Sequence, residues 1–134
     1  MKVDGSCHCG AIAFEAEVKP DGLVICHCTD CQQLSGSAYR ANIGAPAETF
    51  RITRGDPKIY VKTADSGRKR LQAFCGDCGS PIYSAAPENT PFYSLRTGTI
   101  RQRGQFKPKV RIWCDSALDW PDDIKGVPQK PRDF

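Results

Sequence analysis

The sequence predicts a mainly β domain with short helical turns, stapled by metal-binding cysteines. Three observations point there. Apolar and polar residues alternate in short runs, turns rich in Gly and Pro separate those runs, and seven of the eight cysteines fall in closely spaced groups.

The elements follow in order. In "GAIAFEAEV", Ile12, Phe14, Ala16 and Val18 share one face while Glu15 and Glu17 take the other, which is the pattern of a half-buried strand. "KPDG" (19–22) then turns the chain, because Pro presets φ and Gly accepts positive φ. Further short strands are predicted at residues 23–26, 39–43, 50–53, 59–62, 71–74, 82–84, 92–95 and 110–114. The turn signals "RGDPK", "ADSGRK", "CGDCGSP", "APENTP" and "RTGT" punctuate them. One short helix fits residues 29–34, with Gly36 as its C-terminal stop. After Trp120, Pro121, Pro128 and Pro131 leave no periodicity, so an extended segment draped over the body is expected. No repeat or long linker divides the chain, and residues 1–134 read as one domain.

The bulk numbers exclude several classes. With 40% hydrophobic and 25% charged residues, the 134-residue chain is ordinary for a globular protein and unlike a disordered one. A net charge of +4 suits an anionic small molecule but is too weak to argue for nucleic acid. The run "GRKRLQ" reads as a solvated turn, since no ladder of aromatic residues accompanies it for base stacking. No apolar run approaches the roughly 18 residues of a membrane helix. "MKVDGSCHCG" lacks the apolar region of a secretory signal, so a cytoplasmic location is expected. There thiols stay reduced, and clustered cysteines read as metal ligands sooner than as disulfides.

The cysteines group as Cys7/Cys9, Cys26/Cys28/Cys31, Cys75/Cys78 and a lone Cys114. In an extended C-x-C, alternation sends both sulfurs to one side, so His8 and His27 should point away from any metal their neighbours bind. The pairs Cys7/Cys9 and Cys75/Cys78 together supply the four thiolates of a closed structural zinc site. A thioredoxin-like reading of "CGDCG" fails because Gly79, Ser80 and Pro81 lead into a strand, not a helix.

Cys28 and Cys31 stand three apart, on one face of a helical turn, with Cys26 reaching in from the preceding strand. Three protein ligands plus one position for substrate is the pattern of catalytic zinc. In "VRIWC", Cys114 shares a face with Val110 and Ile112 and is expected to be a buried core thiol; the competing reading makes it the fourth ligand. Three thiolates weaken zinc as a Lewis acid but leave it receptive to a soft ligand, and a thiol bound there is deprotonated. Addition of a bound thiolate to a carbonyl, or its reversal, is therefore expected before hydrolysis.

The stretches "SCHCGAIAFE", "CHCTDCQQLSGSAY", "FRITRGDPKIY", "SGRKRLQAFCGDCGSPIYS" and "RIWCDSALDW" together resemble the family of glutathione-dependent formaldehyde-activating enzymes over about residues 5–129. The resemblance implies a β-tent fold with two zinc ions. It implies a structural zinc on Cys7, Cys9, Cys75 and Cys78, and a catalytic zinc on Cys26, Cys28 and Cys31. The activity implied is that of a carbon–sulfur lyase, in which glutathione and formaldehyde equilibrate with S-hydroxymethylglutathione. The chain departs from the family at Gln32 and Gln33, where members often carry a basic residue, and at Arg111, where many carry His.

Tyr39, Ser35, Ser37 and His27 lie close to the triad in sequence, but as structural hydroxyls and a surface imidazole sooner than as proton donors. Arg40, Arg51, Arg54 and Arg96 are candidates for the carboxylates of a glutathione-sized thiol, which Arg pairs bidentately. The alternative to an enzyme acting on a thiol and an aldehyde is a zinc-stabilised binding module with both metals structural.

Overall fold

The computed structural model describes residues 1–133. Among the described residues, ten strands form two sheets. β1 (Lys2–Ser6), β2 (Ala13–Glu17) and β5 (Arg51–Arg54) make a three-stranded antiparallel sheet in the order β1-β2-β5. The second sheet has seven strands in the order β10-β3-β4-β9-β8-β7-β6. These are β3 (Leu23–Cys26), β4 (Arg40–Pro46), β6 (Lys58–Thr63), β7 (Lys69–Phe74), β8 (Pro81–Ala85), β9 (Phe92–Arg96) and β10 (Pro108–Ile112). All neighbours in it are antiparallel except β10, which runs parallel to β3.

The core lies between the sheets. Ile12, Phe14, Ala16 and Val18 are all buried, as their alternation predicts, and they meet Ile43, Ala45 and Leu95 of the larger sheet. Phe50, tilted against Phe14 at 5.9 Å, extends this layer by stacking on Tyr93, and Tyr83 meets both rings edge-on. Strand β1, unpredicted, is admitted by Gly5: a Cβ there would stand 2.4 Å from both Phe14 Cζ and the Thr99 carbonyl oxygen. Residues 29–34 do form a helix, α1 (Thr29–Ser35). Gly36 ends it in the left-handed region, donating to the Gln32 and Gln33 carbonyls.

Period-2 geometry gives the seven-stranded sheet two unlike faces. Ile43, Ala45 and Leu95 point into the core; Arg40, Asn42, Ser84 and Arg96 are also buried, but line a cavity on the other side.

The C-terminal region departs from expectation. β10 is an edge strand whose residues are all exposed, and it stops at Ile112 because Trp113 adopts a left-handed conformation (φ 58°). Cys114 consequently opens a 3₁₀ turn, Cys114–Ser116, and is exposed rather than buried in the core. Trp120–Gly126 winds into further 3₁₀ turns instead of running extended, with Pro121 in the first turn, where no N–H is needed. No helix among the described residues is long and apolar enough to cross a membrane.

Candidate metal centres

Two cysteine clusters form, each with its ligand atoms within 4.8 Å of one another. Cys7, Cys9, Cys75 and Cys78 make one; Cys26, Cys28 and Cys31 make the other.

The four-cysteine cluster joins the loop after β1 to the β7–β8 turn, 66 residues later along the chain from Cys9 to Cys75. Cys7 Sγ lies 3.7 Å from Cys9 Sγ, and Cys9 Sγ 3.8 Å from Cys75 Sγ. Tetrahedral zinc with Zn–S bonds of about 2.3 Å requires sulfur–sulfur edges of about 3.8 Å, so the donors fit that ion. The surrounding backbone supports them. The Ile12 amide donates to Cys7 Sγ at 3.2 Å, and Ser80 Oγ lies 3.3 Å from Cys78 Sγ while accepting from the His8 amide at 3.0 Å. The Ser80 hydroxyl first, then the Cys9 and Ser80 amides, hold the Cys78 thiol down to about 5. Gly79, at φ 80°, permits the turn that returns its N–H to the Cys75 carbonyl at 2.8 Å.

In the three-cysteine cluster each ligand comes from a different step of one connection. Cys26 ends β3, Cys28 caps α1, and Cys31 stands in its first turn, its amide donating to Cys28 Sγ at 3.2 Å. Burial, then the neighbouring Cys28 and Cys26 thiols, push Cys31 up to about 12; burial also raises Cys26. These sulfurs cannot all be thiolates so close together without a cation among them, and a soft divalent ion meets that need. Among the described residues no fourth Cys, His, Asp or Glu completes this cluster.

His27, between two of these cysteines, is no surface imidazole. It is 2% exposed, packs edge-on against Tyr39 at 5.5 Å, and turns Nε2 toward Arg111 Nε at 3.0 Å. His8 is exposed, and neither histidine joins a cluster. Gln32 Nε2 donates to the carbonyls of His27 and Ser116 at 2.9 and 3.0 Å, tying the cysteine loop to the turn after β10.

The three cysteines open onto a cavity of about 380 Å³. Of the four candidate arginines, Arg40 and Arg96 line it; Arg51 pairs with Glu15, and Arg54 donates to the Gly10 carbonyl, away from the triad. Sequence reasoning missed Lys62, Arg70, Asn42 and Gln72, which line the same space. Only the order β4-β9-β8-β7-β6 brings them together, and that order leaves no local signal. Lys62 Nζ meets Asp30 Oδ2 at 2.7 Å across the cavity rim. Ser35, Ser37 and Tyr39 are not in the lining; Ser35 Oγ is occupied by the Gln32 and Tyr39 carbonyls, each at 3.4 Å. A larger cavity of about 740 Å³ lies over β1 and β2 but contains no cysteine, and its Asp4 and Arg101 are paired with each other.

A model of the family "glutathione-dependent formaldehyde-activating enzyme" matches residues 2–116. A Halomonas elongata protein, provisionally named a glutathione-dependent formaldehyde-activating enzyme, is 29% identical over 131 residues, covering 90% of this chain and 80% of its own. The fold is similar to the crystal structure of a Rhodobacter sphaeroides protein, with a TM-score of 0.61 and 21% identity over 78% of this chain and 97% of that one.

Proposed function

The chain belongs to the family of glutathione-dependent formaldehyde-activating enzymes, and from that premise we propose a zinc-dependent carbon–sulfur lyase that makes and breaks thiol–aldehyde adducts such as S-hydroxymethylglutathione. One observation carries the reading: three cysteines whose sulfurs lie as close together as those of the four-cysteine cluster sit in a cavity wall without a fourth protein ligand among the described residues.

Cys7, Cys9, Cys75 and Cys78 would hold a structural zinc, and Cys26, Cys28 and Cys31 the working one. Zinc held by those three thiolates would act as a soft Lewis acid that favours the deprotonated form of a thiol. In the forward direction the thiolate sulfur bonds to the aldehyde carbon, the carbonyl electron pair moves to oxygen, and that oxygen takes a proton. In reverse the hydroxyl proton leaves, the carbon–sulfur bond breaks, and its electrons return to sulfur. The guanidiniums of Arg40, Arg70 and Arg96 present N–H donors to anions and to developing negative charge, whereas an ammonium is the better group to pass a proton. The proton is therefore assigned to Lys62 Nζ, steadied by Asp30.

Thiols and formaldehyde combine unaided, so the test is exchange at equilibrium. Two-dimensional exchange NMR on glutathione, formaldehyde and their adduct should show interconversion accelerated by the zinc-loaded protein and restored to the background rate by Cys31→Ser. Equal acceleration by both proteins would sink the lyase reading and leave a zinc-stabilised scaffold.

A further inference from the structure

Arg40 and Arg96 are each only 6% exposed, a depth arginine reaches almost only when paired. Neither has a carboxylate among the described residues. They converge instead on one neutral acceptor, Gln72 Oε1, Arg40 Nη1 at 3.1 Å and Arg96 Nη2 at 2.6 Å; Arg96 Nη1 also reaches Asn42 Oδ1 at 2.6 Å. Both Nε atoms are buried without an acceptor. Arg70 meets only Ser84 Oγ, at 3.4 Å, while Lys62 is balanced by Asp30.

Three guanidiniums thus face the cavity with no counter-ion from an acidic side chain. A divalent cation on three thiolates carries one negative charge, which leaves two of the three positive charges unbalanced. One ligand thiolate and one ligand carboxylate would balance both. The position of the arginines limits the reach. Arg40 lies directly opposite Cys26 on the paired strands β4 and β3, and opposed side chains on such a pair start about 5 Å apart.

We infer that Arg40 and Arg70, backed by Arg96 and Gln72, form a carboxylate subsite beside the three-cysteine cluster, and that it selects substrates bearing a carboxylate a few bonds from the reacting carbon–sulfur bond. A planar carboxylate fits the guanidinium fork, which a hydroxyl or amide does not. The carboxylate comes either from a short mercapto acid or from an acidic aldehyde. Glutathione's own carboxylates lie beyond peptide bonds from its sulfur, so in a glutathione adduct the subsite would take a carboxylate supplied by the aldehyde. The inference rests on the thiol-site reading of the cluster but makes a separate demand.

Calorimetric titration of the zinc-loaded full-length chain separates the two. The ligands are β-mercaptopropionate, β-mercaptoethanol and glyoxylate; the proteins are wild type, Arg40→Met and Arg70→Met, each checked for its melting transition. Wild type should bind β-mercaptopropionate about tenfold or more tighter than β-mercaptoethanol, the scale of a charge-assisted pair. Either substitution should close most of that gap, weakening β-mercaptopropionate far more than β-mercaptoethanol. Arg-dependent binding of glyoxylate supports the subsite and assigns its carboxylate to the aldehyde. Equal binding of both thiols by wild type overturns the subsite and leaves the thiol site standing. Arg-dependent binding of the acids with no binding of β-mercaptoethanol supports the subsite and overturns the thiol reading. Failure of all three ligands overturns both. Arg70, less buried than Arg40, keeps the test open should Arg40→Met not fold.

Discussion

Arg111 Nε donates to His27 Nε2 at 3.0 Å across 84 residues of chain, joining the edge strand β10 to the residue between two clustered cysteines. The acceptor role of Nε2 places the imidazole proton on Nδ1, which is buried and has no partner. The same guanidinium reaches toward Asp122 at 3.8 Å, so it also links β10 to the 3₁₀ segment. Among the described residues the His27 ring thus has a hydrogen-bond partner at Nε2 alone.

Arg111→Met should therefore strand a second buried nitrogen on His27. The expected cost is about 1–3 kcal/mol in urea unfolding, the scale of an unsatisfied buried polar group. Because Cys26 and Cys28 flank His27, zinc affinity at the three-cysteine cluster should fall about tenfold or more, as when a group supporting metal ligands is lost. Competition with a chromophoric chelator reads that affinity. His27→Phe should abolish most of the penalty of Arg111→Met; full additivity of the two substitutions would show that the contact contributes nothing.

The two clusters should respond differently to loss of one sulfur. Cys75 is 1% exposed and bridges distant parts of the chain, so Cys75→Ser should lose one zinc and much of the cooperative melting transition, because zinc held only by the folded site adds directly to folding stability. Cys31→Ser should lose the other zinc and stay folded, since its three ligands lie within one short connection that the sheet holds from both sides. Metal analysis with thermal melts decides it: equal loss of structure in both variants would make both sites structural.

Much of this was legible from local pattern. The alternation from Ile12 to Val18 identifies a buried face because strand geometry alone determines it, and cysteine spacing separates the clusters because ligands in one turn or one C-x-C stay neighbours in any fold. The cavity lining was not legible. Arg70 and Gln72 could face solvent as readily as Cys31 until the sheet order is known, and the run "GRKRLQ" reads locally as a solvated turn although the structure places both residues on β7. Cys114 misled for a different reason: the strand pattern "VRI" continues into it on paper, but Trp113 reverses the backbone before it. The apolar pattern of "KVDGS" is too thin to announce β1, whose place depends on the space left by Gly5.

Acid stability carries a signature from Asp4. Its hydrogen bond from Arg101, then that from Gln102, holds the carboxyl below its ordinary 3.8. A depressed folded pKa means stability that is complete above the unfolded value and lost as pH falls through the folded one. Wild type should thus exceed Asp4→Asn by a constant margin above about pH 4, and the margin should close at lower pH. The pair is exposed, so the margin is small and should shrink in high salt. Chemical denaturation at several pH values measures it; a margin that widens toward acid would contradict the pairing.

Lys62 carries the assignment of the proton, and its alternatives differ in one measurable respect. Its ammonium could serve by charge alone: against burial, the Cys31 amide, then the Cys31 and Cys26 thiols and last the Lys62 charge lower Cys28. If it serves by transferring a proton, Lys62→Met and Lys62→Arg should both slow equilibrium exchange of the hydroxymethyl adduct, by about a hundredfold on the scale of general acid–base groups. Arg keeps the charge and the contact with Asp30 but holds its proton too tightly to exchange it. Should Lys62→Arg retain the wild-type rate while Lys62→Met does not, the residue acts by charge and the proton travels by another route through the cavity. Zinc content of the three-cysteine cluster must stay unchanged in both, which it should, because Lys62 stands on β6 and supplies no ligand.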